Sequence, residues 1–216
     1  MKVLVLGATG KLGKMIVANL LDAKDDVYVL VRNVDEAKNT LQNNNIKYIS
    51  GDAKNLNDIV NALSGIDVFV STFGTSSETK LINVTKNIID ALLKTNVRGV
   101  IVSGAASLYL DETKTSRLVD NLSQVPEEFV GVMKGHAKAL EMYNNVDGIK
   151  VSIFSPALDF EYPGLLTKKY GIGKDVVIYN TNNQSIVSYL DGAWELTNEI
   201  HNPKHIGERW TIGYTK

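Results

Sequence analysis

Short apolar runs alternate with amphipathic stretches along most of the chain. Val3-Leu-Val-Leu6, Val27-Tyr-Val-Leu-Val31, Ile46-Lys-Tyr-Ile49, Asp67-Val-Phe-Val70, Gly99-Val-Ile-Val102 and Lys150-Val-Ser-Ile-Phe154 read as buried-type strands. Between them, Val34–Asn43 and Asn55–Leu63 carry helical spacing, stopped by Asn43-Asn44-Asn45 and Ser64-Gly65. Glu78–Thr95 places Leu81, Ile82, Val84, Ile88, Ile89, Leu92 and Leu93 on one helical face, and Glu127–Asn144 is a further long helix. Strands this apolar, alternating with helices, predict an α/β fold with a doubly wound parallel sheet covered on both faces.

The pattern changes after Ser155. Residues 155–188 hold Pro156, Pro163, Gly164, Gly171 and Gly173, with only short strand-like pieces such as Val176-Val-Ile-Tyr179. Ser188 with Asp191 reads as the capping box of a helix running to about Ile200, and Arg209-Trp-Thr-Ile212 as a last strand. No linker or repeat separates this part. One domain over 1–216 is expected, with a core at 1–154 and a small substrate-side elaboration at 155–216.

Composition narrows the function classes. The chain has 216 residues, a net charge of -1 and no cysteine. Disulfides, zinc–thiolate sites and cysteine nucleophiles are excluded, and no strong field draws the chain to nucleic acid or a membrane. The first strand starts at Lys2, leaving no room for a signal peptide, and no apolar run is long enough for a membrane span. The expectation is a cytoplasmic protein, monomer or homodimer, acting on a small molecule.

The chemistry begins at the first strand end, Gly7-Ala-Thr-Gly10-Lys-Leu-Gly13. A strand enters this turn and an amphipathic helix leaves it. Gly7 supplies the tight turn, Gly10 admits close approach of a pyrophosphate, and Gly13 lets helix and strand pack. Free N–H groups and the positive dipole end of the helix then face phosphates. The spacing is Gly-x-x-Gly-x-x-Gly rather than Gly-x-Gly-x-x-Gly; its context between strand and helix is what a dinucleotide-binding turn requires. Lys11 sits in that first turn, where a bound phosphate relieves its conflict with the dipole.

Ligands of such sheets lie across the carboxyl ends of the strands. The second strand ends in Arg32-Asn33, where an acidic residue would favour NAD; a guanidinium suits a 2′-phosphate and favours NADP. The competing reading is a surface arginine paired with Asp35 or Glu36. Asp52, in Gly51-Asp52-Ala53 after the third strand, either accepts from the adenine amino group or bonds its own turn. The fourth strand ends Ser71-Thr72-Phe73-Gly74, where backbone would line pyrophosphate and ribose.

Together these residues resemble the atypical, NAD(P)H-binding branch of the short-chain dehydrogenase/reductase superfamily, which includes NmrA-like and biliverdin/flavin-reductase-like proteins. Leu30-Val-Arg32-Asn33, Gly51-Asp52, Val102-Ser103-Gly104-Ala105 and Phe154-Ser155-Pro156-Ala157 follow the glycine turn in the expected order. Tyr170-Gly-Ile-Gly-Lys, Ser185-Ile-Val-Ser188 and Asn202-Pro-Lys-His205 are similar to the tails of small bacterial members. The resemblance implies a Rossmann-type fold. It implies a cofactor-binding set of Gly7, Thr9, Gly10, Lys11, Leu12, Gly13, Arg32, Asn33, Asp52, Ala53, Thr72, Phe73, Gly74, Ser103, Lys138, Pro156 and Ala157 for NAD(P)H; Arg32 makes NADPH the expected choice over NADH.

Superfamily enzymes usually use Tyr-x-x-x-Lys on a helix and a Ser or Thr on the preceding strand. The matching helix reads Met133-Lys134-Gly-His136-Ala-Lys138, so Lys138 stands for the lysine and Lys134 replaces the tyrosine. Ser103 and Lys138 are the catalytic candidates: Ser103 to position substrate, Lys138 to reach the ribose. The bland reading of both lysines is a solvated helix face. Tyr170-Gly-Ile-Gly-Lys174 repeats the motif with two glycines that oppose a helix. His136 reads as a surface or helix-packing residue. His201 and His205, in a terminal loop, have no metal spacing with carboxylates, so no metal set is expected. Phe160 and Tyr162 are an aromatic lid or plain packing.

The expected activity is NAD(P)H-dependent reduction of a small acceptor such as a flavin or quinone, which needs little protein acid. The alternative is an NAD(P)-sensing regulatory protein without turnover. Sugar-nucleotide epimerases and dehydratases need the missing tyrosine and more chain.

Overall fold

A computed structural model describes residues 1–123, 125–161 and 163–216. Six parallel strands form the centre: β1 Lys2–Leu6, β2 Asp26–Val31, β3 Lys47–Ser50, β4 Val68–Ser71, β5 Arg98–Val102 and β6 Val151–Ser155. The helices are α1 Lys11–Asp22, α2 Val34–Leu41, α3 Leu56–Ala62, α4 Glu78–Thr95, α5 Glu127–Asn144 and α6 Tyr189–His201. Four further strands are β7 Asp159–Glu161, β8 Gly171–Gly173, β9 Ile186–Ser188 and β10 Arg209–Gly213. The main sheet has the order β3-β2-β1-β4-β5-β6-β10-β8, and β7 pairs with β9 in a small second sheet. All main-sheet pairings are parallel except β8 against β10. This is the doubly wound Rossmann-type architecture. Its strand order reverses between β1 and β4, where such sheets open a crevice for ligands.

Local chemistry fixes the helix starts. Asn33, Asn55, Ser77 and Ser188 accept first-turn N–H groups of α2, α3, α4 and α6. Two apolar layers sandwich the sheet. On one face Leu12, Ile16, Val17 and Leu20 of α1 meet Ala193, Leu196 and Ile200 of α6; on the other, Ile59, Val84, Ile88, Leu92, Leu140 and Tyr143 of α3, α4 and α5 cover Leu4, Phe69 and Ile153.

The C-terminal region departs from expectation. Val187, Ala193, Leu196, Ile200, Trp210 and Ile212 belong to the same core as β1 and α1, so residues 155–216 complete the sheet as well as adding to it. Val176 makes only isolated bridging to Tyr109, while Gly171–Gly173 is a strand that alternation could not reveal. Ser188 caps α6 as expected, but the Asp191 carboxylate does not return to it. It accepts from the Thr167 and Lys168 N–H groups and from the Thr167 and Tyr214 hydroxyls, pinning the loop before β8.

Candidate functional site

The turn between β1 and α1 is tight. Gly7 has φ +84°, and its carbonyl accepts from Gly10 N at 3.0 Å. A Cβ on Gly7 would lie 2.6 Å from Thr72 Oγ1, and one on Gly13 only 2.2 Å from Gly7 O. Gly10 differs: its Cβ would meet only Gly7 O, at 3.2 Å, and otherwise points into open space. Gly10 is the N-cap of α1 and offers no side-chain acceptor to the first turn. Thr9, Gly10 and Lys11 are exposed while Ala8, Leu12 and Gly13 are buried. The Leu12 side chain therefore packs into the core, and only its first-turn backbone N–H is placed to meet a ligand.

This turn forms one wall of a groove of about 520 Å³ across the ends of β1, β2, β3 and β4. That size suits a small-molecule or cofactor site. Thr9, Gly10, Arg32, Asn33, Asp52, Ala53, Thr72, Phe73 and Gly74 line it, as do Glu36, Lys54, Thr75 and Lys80, which the strand-end reading missed. Arg32 is exposed there and makes no ion pair with Asp35 or Glu36. Asn33 is occupied in capping α2. Asp52 accepts from Lys54 N at 3.0 Å, and its own N–H donates to Asp58, so the turn role is real. The Thr72 hydroxyl donates to Leu6 O and Gly7 O and so braces the glycine turn at the groove wall.

The other end of the expected site is rearranged. Gly131 and Gly135 let α5 approach the start of α4: a Cβ on Gly131 would lie 2.6 Å from Ser76 O, and one on Gly135 3.0 Å from Leu81 Cδ2. This packing turns Lys134 and Lys138 outward. Lys138 is exposed, pairs with Glu141 at 2.8 Å, which raises its pKa, and lines a separate groove on the outer face of α4 and α5. It does not reach the dinucleotide groove. His136 turns inward instead, against Gly104, where a Cβ would lie 2.9 Å from its own. Burial lowers its pKa from 6.5 to about 4. The Gly131-x-x-x-Gly135 spacing carried that signal in the sequence.

Ser103 is 7% exposed at the end of β5, and its hydroxyl has no partner among the described residues. Ser155 and Thr211, cross-strand neighbours on β6 and β10, are likewise buried with unpartnered hydroxyls. Pro156 and Ala157 are buried and lie outside the groove lining. Phe160 stacks on Tyr189 at 4.0 Å and presses on Gly192, which is packing rather than a lid; Tyr162 lies outside the described residues. Tyr170 donates to Glu195 at 2.8 Å and Lys174 pairs with Glu208, flanking β8 rather than a helix turn. His201 pairs with Asp25 and His205 with Glu199.

A glycine cradle that a Cβ would fill, an uncapped helix N-terminus and a groove with cationic rims fit a dinucleotide. The family comparison agrees: a model of NAD(P)H-binding proteins matches residues 7–157. The chain belongs to this NAD(P)H-binding family, of the atypical short-chain dehydrogenase/reductase type. Within it, the uncharacterized protein YwnB of Bacillus subtilis is 30% identical over 98% of both chains. A proposed NADH-flavin reductase from Streptococcus pneumoniae is 30% identical, with a TM-score of 0.86 over the whole of both chains. A proposed epimerase from Bacteroides thetaiotaomicron, also 30% identical, reaches 0.90 over 100% of this chain and 97% of its own. The family's NAD(P)H-binding fold thus frames the groove, and no helix among the described residues is long and apolar enough to cross a membrane.

Proposed function

We propose that the chain is an NADPH-dependent reductase that delivers hydride to a small acceptor such as a flavin or quinone. The observation that carries this reading is the open side of Gly10, facing a groove rimmed by Arg32, Lys54 and Lys80. The N–H groups at the start of α1 would hold the pyrophosphate. Arg32, unengaged by its neighbouring carboxylates, would hold a 2′-phosphate. Phe73 and Gly74 would border the ribose, and Ser103, which lines the small cavity behind Phe73 rather than the groove itself, would meet only an acceptor that reaches past that ring. Nicotinamide supplies the hydride when bound; the protein supplies orientation and a water-poor surface. An acceptor whose reduced form takes its proton from water suits a site where no lysine–tyrosine pair faces the groove. Two neighbours, described as a proposed NADH-flavin reductase and a proposed epimerase, point to different chemistries; the absent phenol favours the former.

One observation favours a second reading. With Lys138 turned outward, the protein binds the cofactor without the usual ribose clamp, as a sensor without turnover could. Anaerobic mixing with NADPH and either FMN or a benzoquinone, followed by the absorbance of the reduced nicotinamide, separates the two. Oxidation of NADPH supports the reductase. Tight NADPH binding with no oxidation by any acceptor supports the sensor.

A further inference from the structure

A second, much smaller cavity lies beside the dinucleotide groove, between α4, α5 and the ends of β4 and β5. Phe73 walls both. Its volume is about 20 Å³, enough for one water molecule. The polar groups around it are Ser71, Thr85, Ser103, His136 and Tyr143. The Tyr143 hydroxyl bonds Thr85, while Ser71 Oγ accepts only a long contact from Phe73 N at 3.4 Å. Ser103 Oγ is fully buried and unpartnered, a state that costs about 1–3 kcal/mol unless a water relieves it. The His136 imidazole, held over Gly104, is the remaining group.

We propose that this cavity holds one ordered water that links the Ser103 hydroxyl to the His136 imidazole, making His136 a positioning residue for Ser103. The water donates one hydrogen bond to Ser103 Oγ and the other to an imidazole nitrogen, keeping both of its protons. Ser103 lies across Phe73 from the groove, so it keeps its own proton for a group that reaches past that ring. A neutral imidazole is required to accept, and burial keeps His136 neutral well below pH 7. Gly104 is what admits the ring: any side chain there would push His136 out of the cavity. The functional half of this inference rests on the reductase reading; the structural half does not.

The test uses the full chain without cofactor and with it. A high-resolution crystal structure should show the water between Ser103 and His136, and the His136 ring ¹⁵N signals should move in S103A. With NADPH and FMN, H136F should lower kcat about tenfold while the NADPH Kd stays unchanged, as expected for a lost orienting contact. H136Q keeps a polar acceptor and should recover most of that rate. A dry cavity, or ring signals indifferent to S103A, overturns the water link. An undiminished kcat in a folded H136F overturns the positioning role. If the parent protein oxidises no NADPH, the reductase reading fails, and the crystal density and ring signals still decide the link.

Discussion

Gly10 and Gly13 lie three residues apart and should respond to alanine in opposite ways. At Gly13 the new Cβ would sit 2.2 Å from Gly7 O, more than 1 Å inside ordinary contact. The neighbour is backbone and already accepts from Gly10 N, so it cannot swing aside. Either that hydrogen bond breaks or α1 lifts from β1. Overpacking costs about 1–3 kcal/mol and a lost hydrogen bond about 1 kcal/mol, against about 1 kcal/mol gained from helix propensity. G13A should therefore lose about 1–3 kcal/mol of stability. At Gly10, φ is -74° and the Cβ has open space beyond Gly7 O. G10A should cost under about 1 kcal/mol in the fold, the difference between glycine and alanine at an N-cap. Its methyl group, however, projects to where the pyrophosphate must approach, and NADPH affinity should fall at least tenfold, about 1.4 kcal/mol. Urea unfolding and calorimetric titration of both variants measure the two effects separately. A G10A protein that binds NADPH like the parent would place the phosphates elsewhere. A G13A protein as stable as the parent would refute the turn packing.

R32A should weaken NADPH by roughly 1.5–3 kcal/mol and leave NADH nearly unchanged; equal losses in calorimetry would remove the 2′-phosphate role. K138A should bind NADPH as the parent does, because the side chain is exposed on the far side of α5 and held by Glu141; a selective loss of cofactor affinity would show that α5 turns its other face to the ligand. His136 has a folded pKa of about 4 against 6.5 unfolded. Its unfolded state therefore binds the proton first, and stability is full above pH 6.5 and declines as pH falls towards 4, by roughly 3 kcal/mol for this group. Denaturation curves of the parent and H136Q across that range should diverge by this amount, with the parent the steeper. T211V should stabilise by about 1–2 kcal/mol, since it removes a buried, unpartnered hydroxyl at constant shape; a destabilised variant would mean that a water satisfies Thr211.

The fold was legible because its signal is redundant. Strands β1, β2, β4, β5 and β6 are predominantly apolar and mostly buried, and the helices α4 and α5 begin and end at the residues the periodicity indicates. The C-terminal third was less legible, since β7, β8 and β9 have three residues each and are held by tertiary contacts such as Asp191 to Thr167. Alternation cannot register strands that short. The position of the groove followed from the ends of β1 to β4, because strand ends in such a sheet converge by topology. The far end did not, because a helix's rotation about its own axis is set by its tightest contact. Gly131 and Gly135 dictate that contact, so His136 faces inward and Lys138 outward, while motif alignment alone points Lys138 to the site. Thr72 and Asn33 line the groove and also carry structural hydrogen bonds that the strand ends alone do not reveal: one braces the turn and the other caps α2.

The central claim is hydride transfer from NADPH bound on the glycine turn. It is tested most directly by single-turnover oxidation of NADPH and of NADPH deuterated at the transferred C4 position, mixed anaerobically with the protein and FMN. The account predicts oxidation that is slower with the deuterated cofactor, faster with NADPH than with NADH at limiting concentration, and lost in a folded G10V variant. Binding of NADPH without oxidation, or a rate that survives G10V unchanged, would contradict it.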